Sequence, residues 1–139
     1  MTGYCFDTDV ISAAIKANPP LHLIRRLATV PASDQFTTSI TVGELIYGAQ
    51  RVGREALAAR VDAVVRGAHT VLPFDAVAAR RFGELKAGLE RRGEPLAEPD
   101  LRIAAIALVR GLTLVSRNVR HFRRMSGLVV ENWIDEGAR

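Results

Sequence analysis

The eight residues from Leu101 to Leu108 carry one charge, Arg102, and are otherwise Leu, Ile and Ala. A helix over Asp100 to Arg110 is therefore apolar on nearly every side and should be central and buried. Gly111 follows as a helix-ending glycine. Around this helix, short apolar runs alternate with amphipathic helices along the whole chain. That pattern argues for an α/β fold, with a mostly parallel central sheet of about five strands and helices on both faces.

The elements follow from periodicity and punctuation. Strands are expected at Gly3 to Phe6, Gln35 to Ile40, Thr70 to Pro73, Leu112 to Val115 and Leu128 to Val130. Helices are expected at Val10 to Ala17, stopped by Asn18-Pro19-Pro20, and at Leu21 to Ala28. Two more cover Thr41 to Val52, with Val42, Leu45, Ile46 and Ala49 as its stripe, and Arg54 to Arg66. Asp75 to Arg92 forms a long amphipathic helix along Phe82, Leu85 and Leu89. Gly93 to Pro99 reads as a loop, and Ser116 to His121 as a turn with a short helix.

A chain of 139 residues is long enough for one domain with one real core. No apolar run approaches the roughly 20 residues of a membrane span, and Asp7 and Asp9 fall where a leader peptide would be apolar. The single cysteine, Cys5, excludes an internal disulfide and reads as a buried core residue, which fits a reducing cytosol. The net charge is +4, with 17 Arg and 2 Lys. Arg suits phosphate better than Lys does, so the excess points weakly to a nucleic-acid partner.

Three acids sit beside apolar stretches, where a carboxylate is costly unless compensated: Asp7, Glu44 and Asp100. In a parallel α/β sheet, ligands bind beyond the carboxyl ends of the strands, near the switch in strand order. Asp7 ends the first strand, Asp100 opens a helix and Asn118 lies just past the fourth strand, so one shared cleft is compatible with all of them. Local alternatives stand beside this. Asp9 reads as a helix N-cap, Thr41-Val42-Gly43-Glu44 as a capping box, Asp100 as an anion favoured by a helix start, and Asn118 as a cap. At about 100° per residue, Glu44 points away from the apolar stripe of its helix, into solvent or into a cleft.

Four segments taken in order are more specific than any one of them. They are Phe6-Asp7-Thr8-Asp9-Val10-Ile11, Thr41-Val42-Gly43-Glu44-Leu45-Ile46-Tyr47-Gly48-Ala49, Pro99-Asp100-Leu101-Arg102-Ile103-Ala104-Ala105-Ile106-Ala107, and Gly111-Leu112-Thr113-Leu114-Val115-Ser116-Arg117-Asn118-Val119-Arg120-His121-Phe122. Over nearly its whole length the chain resembles the PIN-domain family, in particular the VapC toxins of bacterial toxin–antitoxin pairs. The resemblance implies one PIN-like nuclease domain over 1–139 with metal-dependent endoribonuclease activity. It places Asp7, Glu44 and Asp100 on the family's three core acids, which hold Mg²⁺ or Mn²⁺, and Asn118 at the fourth catalytic position. It also implies a VapB-like antitoxin, a homodimer and a cytoplasmic location. The chain departs from the family pattern at Asp9, where Asn is usual, and at Asn118, where Asp is common. Those departures put a strongly held second metal in doubt.

Mg²⁺ prefers oxygen ligands and keeps several waters, so a few carboxylates suffice, and no side-chain nucleophile is needed. Crowded carboxylates repel, so at least one should take up a proton more readily than usual, and activity should increase from mildly acidic to mildly alkaline pH. Asp9 and Ser116 are candidates to support the ligands. Arg117, Arg120 and Arg124, at helical spacing, are candidates to bind RNA phosphates, or else a solvated face. His121 has no necessary chemical role, His22 and His69 read as surface or packing residues, and Trp133 is expected to pack the C-terminal tail. The alternative function is a PIN-fold module that binds RNA without cutting it. A phosphoacceptor domain would need a Lys after a late strand, and neither Lys16 nor Lys86 supplies one.

Overall fold

Strand β1 (Tyr4–Phe6) lies at the centre of a sheet ordered β3-β2-β1-β4-β5, in which every adjacent pair is parallel. The computed structural model describes residues 3–68, 70–135 and 137. His69 lies outside the described residues. The other strands are β2 (Gln35–Thr38), β3 (Thr70–Leu72), β4 (Thr113–Val115) and β5 (Val130–Glu131). The helices are α1 (Thr8–Ala14), α2 (Leu21–Ala28), α3 (Ser39–Val52), α4 (Glu55–Ala63), α5 (Ala76–Arg91), α6 (Glu98–Val109) and α7 (Val119–Phe122). The expected parallel α/β architecture is present, with five strands.

Successive strand residues point to opposite faces of a sheet, and the core divides accordingly. Phe6 and Val115 pack with Val10, Ile11, Leu23, Leu45 and Val61 from α1 to α4. Cys5 and Leu114 pack on the other face with Leu89, Leu101, Ile103, Ala107 and Phe122 from α5 to α7. Helix α6 is as buried as its composition demands: Leu101 and every residue from Ile103 to Ala107 are at most 1% exposed. Each fully buried Leu or Ile there contributes about 1.5–3 kcal/mol. Gly111 ends the helix with φ +65°, a conformation other residues adopt at a cost, and Leu112 N–H closes back on the Ala107 carbonyl at 3.0 Å. Among the described residues, no helix is long and apolar enough to cross a membrane.

Several boundaries differ from the sequence reading, and capping explains most of them. Helix α1 begins at Thr8 because the Asp7 carboxylate caps it, accepting Thr8 N–H at 2.7 Å; Asp9 is not the cap. It also ends at Ala14, short of Ala17. Strand β2 stops at Thr38, whose hydroxyl accepts Thr41 N–H at 3.1 Å. Helix α3 therefore starts at Ser39, and Thr41 and Glu44 do not form its capping box. Its buried face is Thr41, Leu45 and Ala49, while Ile46 is 40% exposed. Pro99 sits in the first turn of α6, which opens at Glu98, so Asp100 lies within that turn rather than at its start. Helix α4 ends at Ala63 and gives way to a π turn over Val64–Ala68. Strand β5 is Val130–Glu131, starting two residues and ending one residue later than expected, although the Val129 carbonyl already accepts Leu114 N–H at 2.9 Å.

Candidate active site

The chain runs from β1 outward to β2 and β3, then returns to place β4 on the other side of β1. The switch in strand order falls between β1 and β4, where diverging connections leave a crevice beyond the carboxyl ends. Asp7 stands at the first of those ends. Its N–H continues the ladder onto the Val115 carbonyl at 2.9 Å, and the residue is 4% exposed. Its two oxygens are both engaged: Oδ1 by Thr8 N–H and Oδ2 by the Ser116 hydroxyl, each at 2.7 Å. Ser116 Oγ in turn accepts Asn118 N–H at 3.0 Å, so Asp7 fixes the segment that leaves β4.

Asp9, one position on from Thr8, grips the same segment by accepting Arg117 N–H at Oδ2, 3.1 Å away. Its Oδ1 is buried and has no hydrogen-bond partner. Glu44 projects from α3 on its exposed side and is held by the Thr8 hydroxyl at 2.6 Å. That hydroxyl also lies 3.2 Å from Thr41 Oγ1. Asp100 enters from the first turn of α6. Asp7, Asp9, Glu44, Asp100 and Asn118 all line one cavity of about 290 Å³, together with Thr8 and Ser12. The sequence-predicted acids thus line one cavity, Ser116 bonds to Asp7 behind them, and the helix-start placement of Asp7, Asp9 and Asp100 coexists with a shared site. Thr8 and Ser12 were not foreseen. A hydroxyl between two acids was the available signal for Thr8, but it becomes readable only once Asp7 rather than Asp9 is the cap.

The field in this cavity opposes ionisation. Burial, then the charge of Asp9, pushes the Asp7 carboxyl from 3.8 up to about 7, against the pull of the Ser116 and Thr8 hydrogen bonds. Burial also raises Asp9, and burial followed by the charge of Glu44 raises Asp100. The expected rise is present, but loss of water leads it and mutual repulsion comes second. Every group presented is a hard oxygen donor, and Asp9 Oδ1 is an orphaned buried acceptor, so the donor set fits a small divalent cation. Among the described residues, no three acidic, His or Cys side chains converge on one point at ligating spacing.

Next to the acids, Arg117, Asn118, Arg120, His121, Arg123 and Arg124 line a cavity of about 680 Å³. Helix α7 has only four residues, so Arg117 and Arg124 lie outside it and helical spacing does not describe their placement. Arg117 Nε is 3.6 Å from Asp135 and Arg124 Nε is 3.9 Å from Glu94. Asn118 holds the backbone position of the cap without a side-chain hydrogen bond. Trp133, 2% exposed, packs into the body of the protein rather than only the tail, with ring centroids 4.8 Å from Tyr4 and 5.4 Å from Phe6.

The fold and this cavity define a class: a parallel α/β protein with an acidic, oxygen-lined crevice at the strand-order switch. Comparison with known proteins narrows it. The PIN domain family matches residues 4–128. The chain is 37% identical to Ribonuclease VapC2 of Haemophilus influenzae, over 96% of this chain and 100% of that protein. It is 35% identical to the tRNA(fMet)-specific endonuclease VapC of Shigella flexneri, over 96% and 99%. A crystal structure of DNA-bound VapBC from Salmonella typhimurium superposes with a TM-score of 0.81 at 38% identity, covering 96% of this chain and 99% of that one. The chain belongs to the PIN-domain family, among the VapC-type toxin ribonucleases of VapBC toxin–antitoxin systems.

Proposed function

We propose that the protein is a Mg²⁺- or Mn²⁺-dependent endoribonuclease and the toxin of a type II toxin–antitoxin pair. The observation that carries this reading is the meeting of Asp7, Glu44, Asp100 and Asn118 in one cavity at the switch between β1 and β4. Asp7, Glu44 and Asp100 would hold the ion, with Asp9 beside them. When bound, the ion supplies an acidified water and positive charge toward a phosphodiester. The chain's own residues do the rest. Ser116 and Thr8 N–H keep Asp7 oriented and favour its ionised form. The Thr8 hydroxyl aims Glu44. Asn118 presents a neutral amide at the rim of both cavities, suited to hydrogen-bond a phosphate oxygen or a water. The basic cavity next to the acids supplies positive charge for RNA phosphates.

The names of the relatives support an RNA substrate, and the VapBC complexes among the similar structures support a VapB-like antitoxin as partner. A homodimer and a cytoplasmic location complete the reading. The test is cleavage of a single-stranded RNA, and of DNA of the same sequence, in EDTA and then in Mg²⁺ or Mn²⁺. Wild type should cut the RNA only with metal, and Asp100→Asn should lose at least about 100-fold, the several kcal/mol a metal ion supplies. Equal, slow rates for both proteins at saturating Mn²⁺ would leave a module that only binds RNA.

A further inference from the structure

We infer that the RNA backbone leaves the acidic cavity past Asn118 and crosses α7 on Arg120 and Arg123, and that these two arginines, rather than Arg117 and Arg124, hold its phosphates. The inference rests on the ribonuclease reading above and adds the path and the contacts.

Continuity comes first. Asn118 lines both the acidic cavity and the basic one. Arg123 lines both the basic cavity and a third, of about 630 Å³, at the β5 edge beside His22 and Arg26. The three spaces are therefore successive neighbours, the first two sharing Asn118 and the last two Arg123. A strand with its scissile phosphate among the acids meets this path directly.

Availability of charge then separates the arginines. Arg117 and Arg124 face Asp135 and Glu94. Arg26 is spent on Glu131 at 3.2 Å and on the Trp133 ring, 4.5 Å from its centroid. Among the described residues, Arg120 and Arg123 pair with no carboxylate, so their whole guanidinium forks are open to phosphate oxygens. Arg120 lies in α7 and Arg123 is its C-cap with helical backbone angles, so the two, three residues apart, share one side of that turn. That turn is anchored by Phe122, which is fully buried, and by Arg123 N–H on the Val119 carbonyl at 2.9 Å. An anchored backbone presents both forks without first having to be ordered.

The test is fluorescence anisotropy with a labelled single-stranded oligoribonucleotide in EDTA, where nothing is cut, across a salt series. Wild type is compared with Arg117→Ala, Arg120→Ala, Arg123→Ala and Arg124→Ala, all changes at exposed positions, with melting temperature as the folding control. Arg120→Ala and Arg123→Ala should each weaken binding on the order of tenfold and flatten the salt dependence by about 0.7 in log–log slope, the loss of one phosphate contact on a single strand. Arg123→Lys, which keeps the charge and loses the fork, should fall between Arg123→Ala and wild type. Arg117→Ala and Arg124→Ala, whose guanidinium groups already face carboxylates, should each lose clearly less than Arg120→Ala or Arg123→Ala. Equal losses at all four positions, no loss at any, or no RNA binding by wild type would overturn the path. If the pattern holds but metal brings no cleavage, the binding path stands and the nuclease reading fails. If RNA is cut with metal but the pattern is absent, the reverse follows.

Discussion

The Ser116 hydroxyl donates a 2.7 Å hydrogen bond to Oδ2 of Asp7, joining the ends of β4 and β1 across the point where strand order reverses. Both residues are buried, and the same hydroxyl accepts the backbone N–H of Asn118, so one oxygen fixes both the Asp7 carboxylate and the backbone that carries Asn118. Ser116→Ala should remove about 1.5–3 kcal/mol from the ionised, metal-free protein, as expected for a hydrogen bond to a charged group. It should also raise the Asp7 pKa further, because this bond is one of the two effects holding it down. Urea unfolding and a pH–rate profile displaced to higher pH would show both; Ser116→Thr should restore them.

The Asp7 carboxyl, near 7 in the folded chain against 3.8 as its ordinary value, makes stability depend on pH. Folding favours the protonated acid, so this contribution is full below about pH 4 and is lost as pH rises through about 7. Asp9 and Asp100 shift in the same direction. The metal-free protein should therefore have a falling urea midpoint between about pH 4 and 7, and Asp7→Asn should flatten that slope. Mg²⁺ should restore the midpoint at the alkaline end, because it binds the ionised acids. Cleavage should rise over the same range and level off above about pH 7.

Thr8 connects the first helix to Glu44 through a 2.6 Å hydrogen bond. Thr8→Val keeps the shape and removes the hydroxyl. We expect a fall in kcat/KM of about 10-fold to 100-fold, the range for removing a group that orients a ligand. The exposed Glu44 carboxylate can rehydrate, so melting temperature should change little. A full loss of fold would instead assign Thr8 to the core.

Trp133 closes the end of the sheet against Tyr4 and Phe6, with Arg26 over its ring and its indole N–H on Glu131 at 2.9 Å. Trp133→Ala should destabilise the protein by about 3–5 kcal/mol by opening a large cavity. Because Arg26 loses its platform, the third cavity should change shape while the acidic one does not. Equilibrium unfolding and metal affinity, measured together, separate these effects.

Where the sequence was legible, the reason was burial. The α6 segment could only be central, and the alternation of strand and helix left few alternatives to a parallel sheet. The three acids were visible because each interrupted an apolar stretch. The misassigned details were those decided by single hydrogen bonds between distant segments. Thr38 outcompeted Thr41 as the cap of α3, and Asp7 replaced Asp9 as the cap of α1. The grip of Asp9 on Arg117 N–H spans 108 positions and leaves no local signature. The arginines do line one cavity, but the carboxylates that face Arg117 and Arg124 come from the tail and from the loop before α6 and leave no local signature either.

The most direct test of the site is Mn²⁺ titration of wild type and Asp7→Asn by calorimetry, with RNA cleavage measured in the same buffer at about pH 7.5, above the Asp7 pKa. Wild type should bind the ion and cut RNA in proportion to its occupancy. Asp7→Asn should remain folded, bind Mn²⁺ at least about tenfold more weakly and lose cleavage even when saturated. Cleavage by Asp7→Asn at the wild-type rate, or wild-type cleavage undiminished in EDTA, would contradict an ion held by Asp7, Glu44 and Asp100.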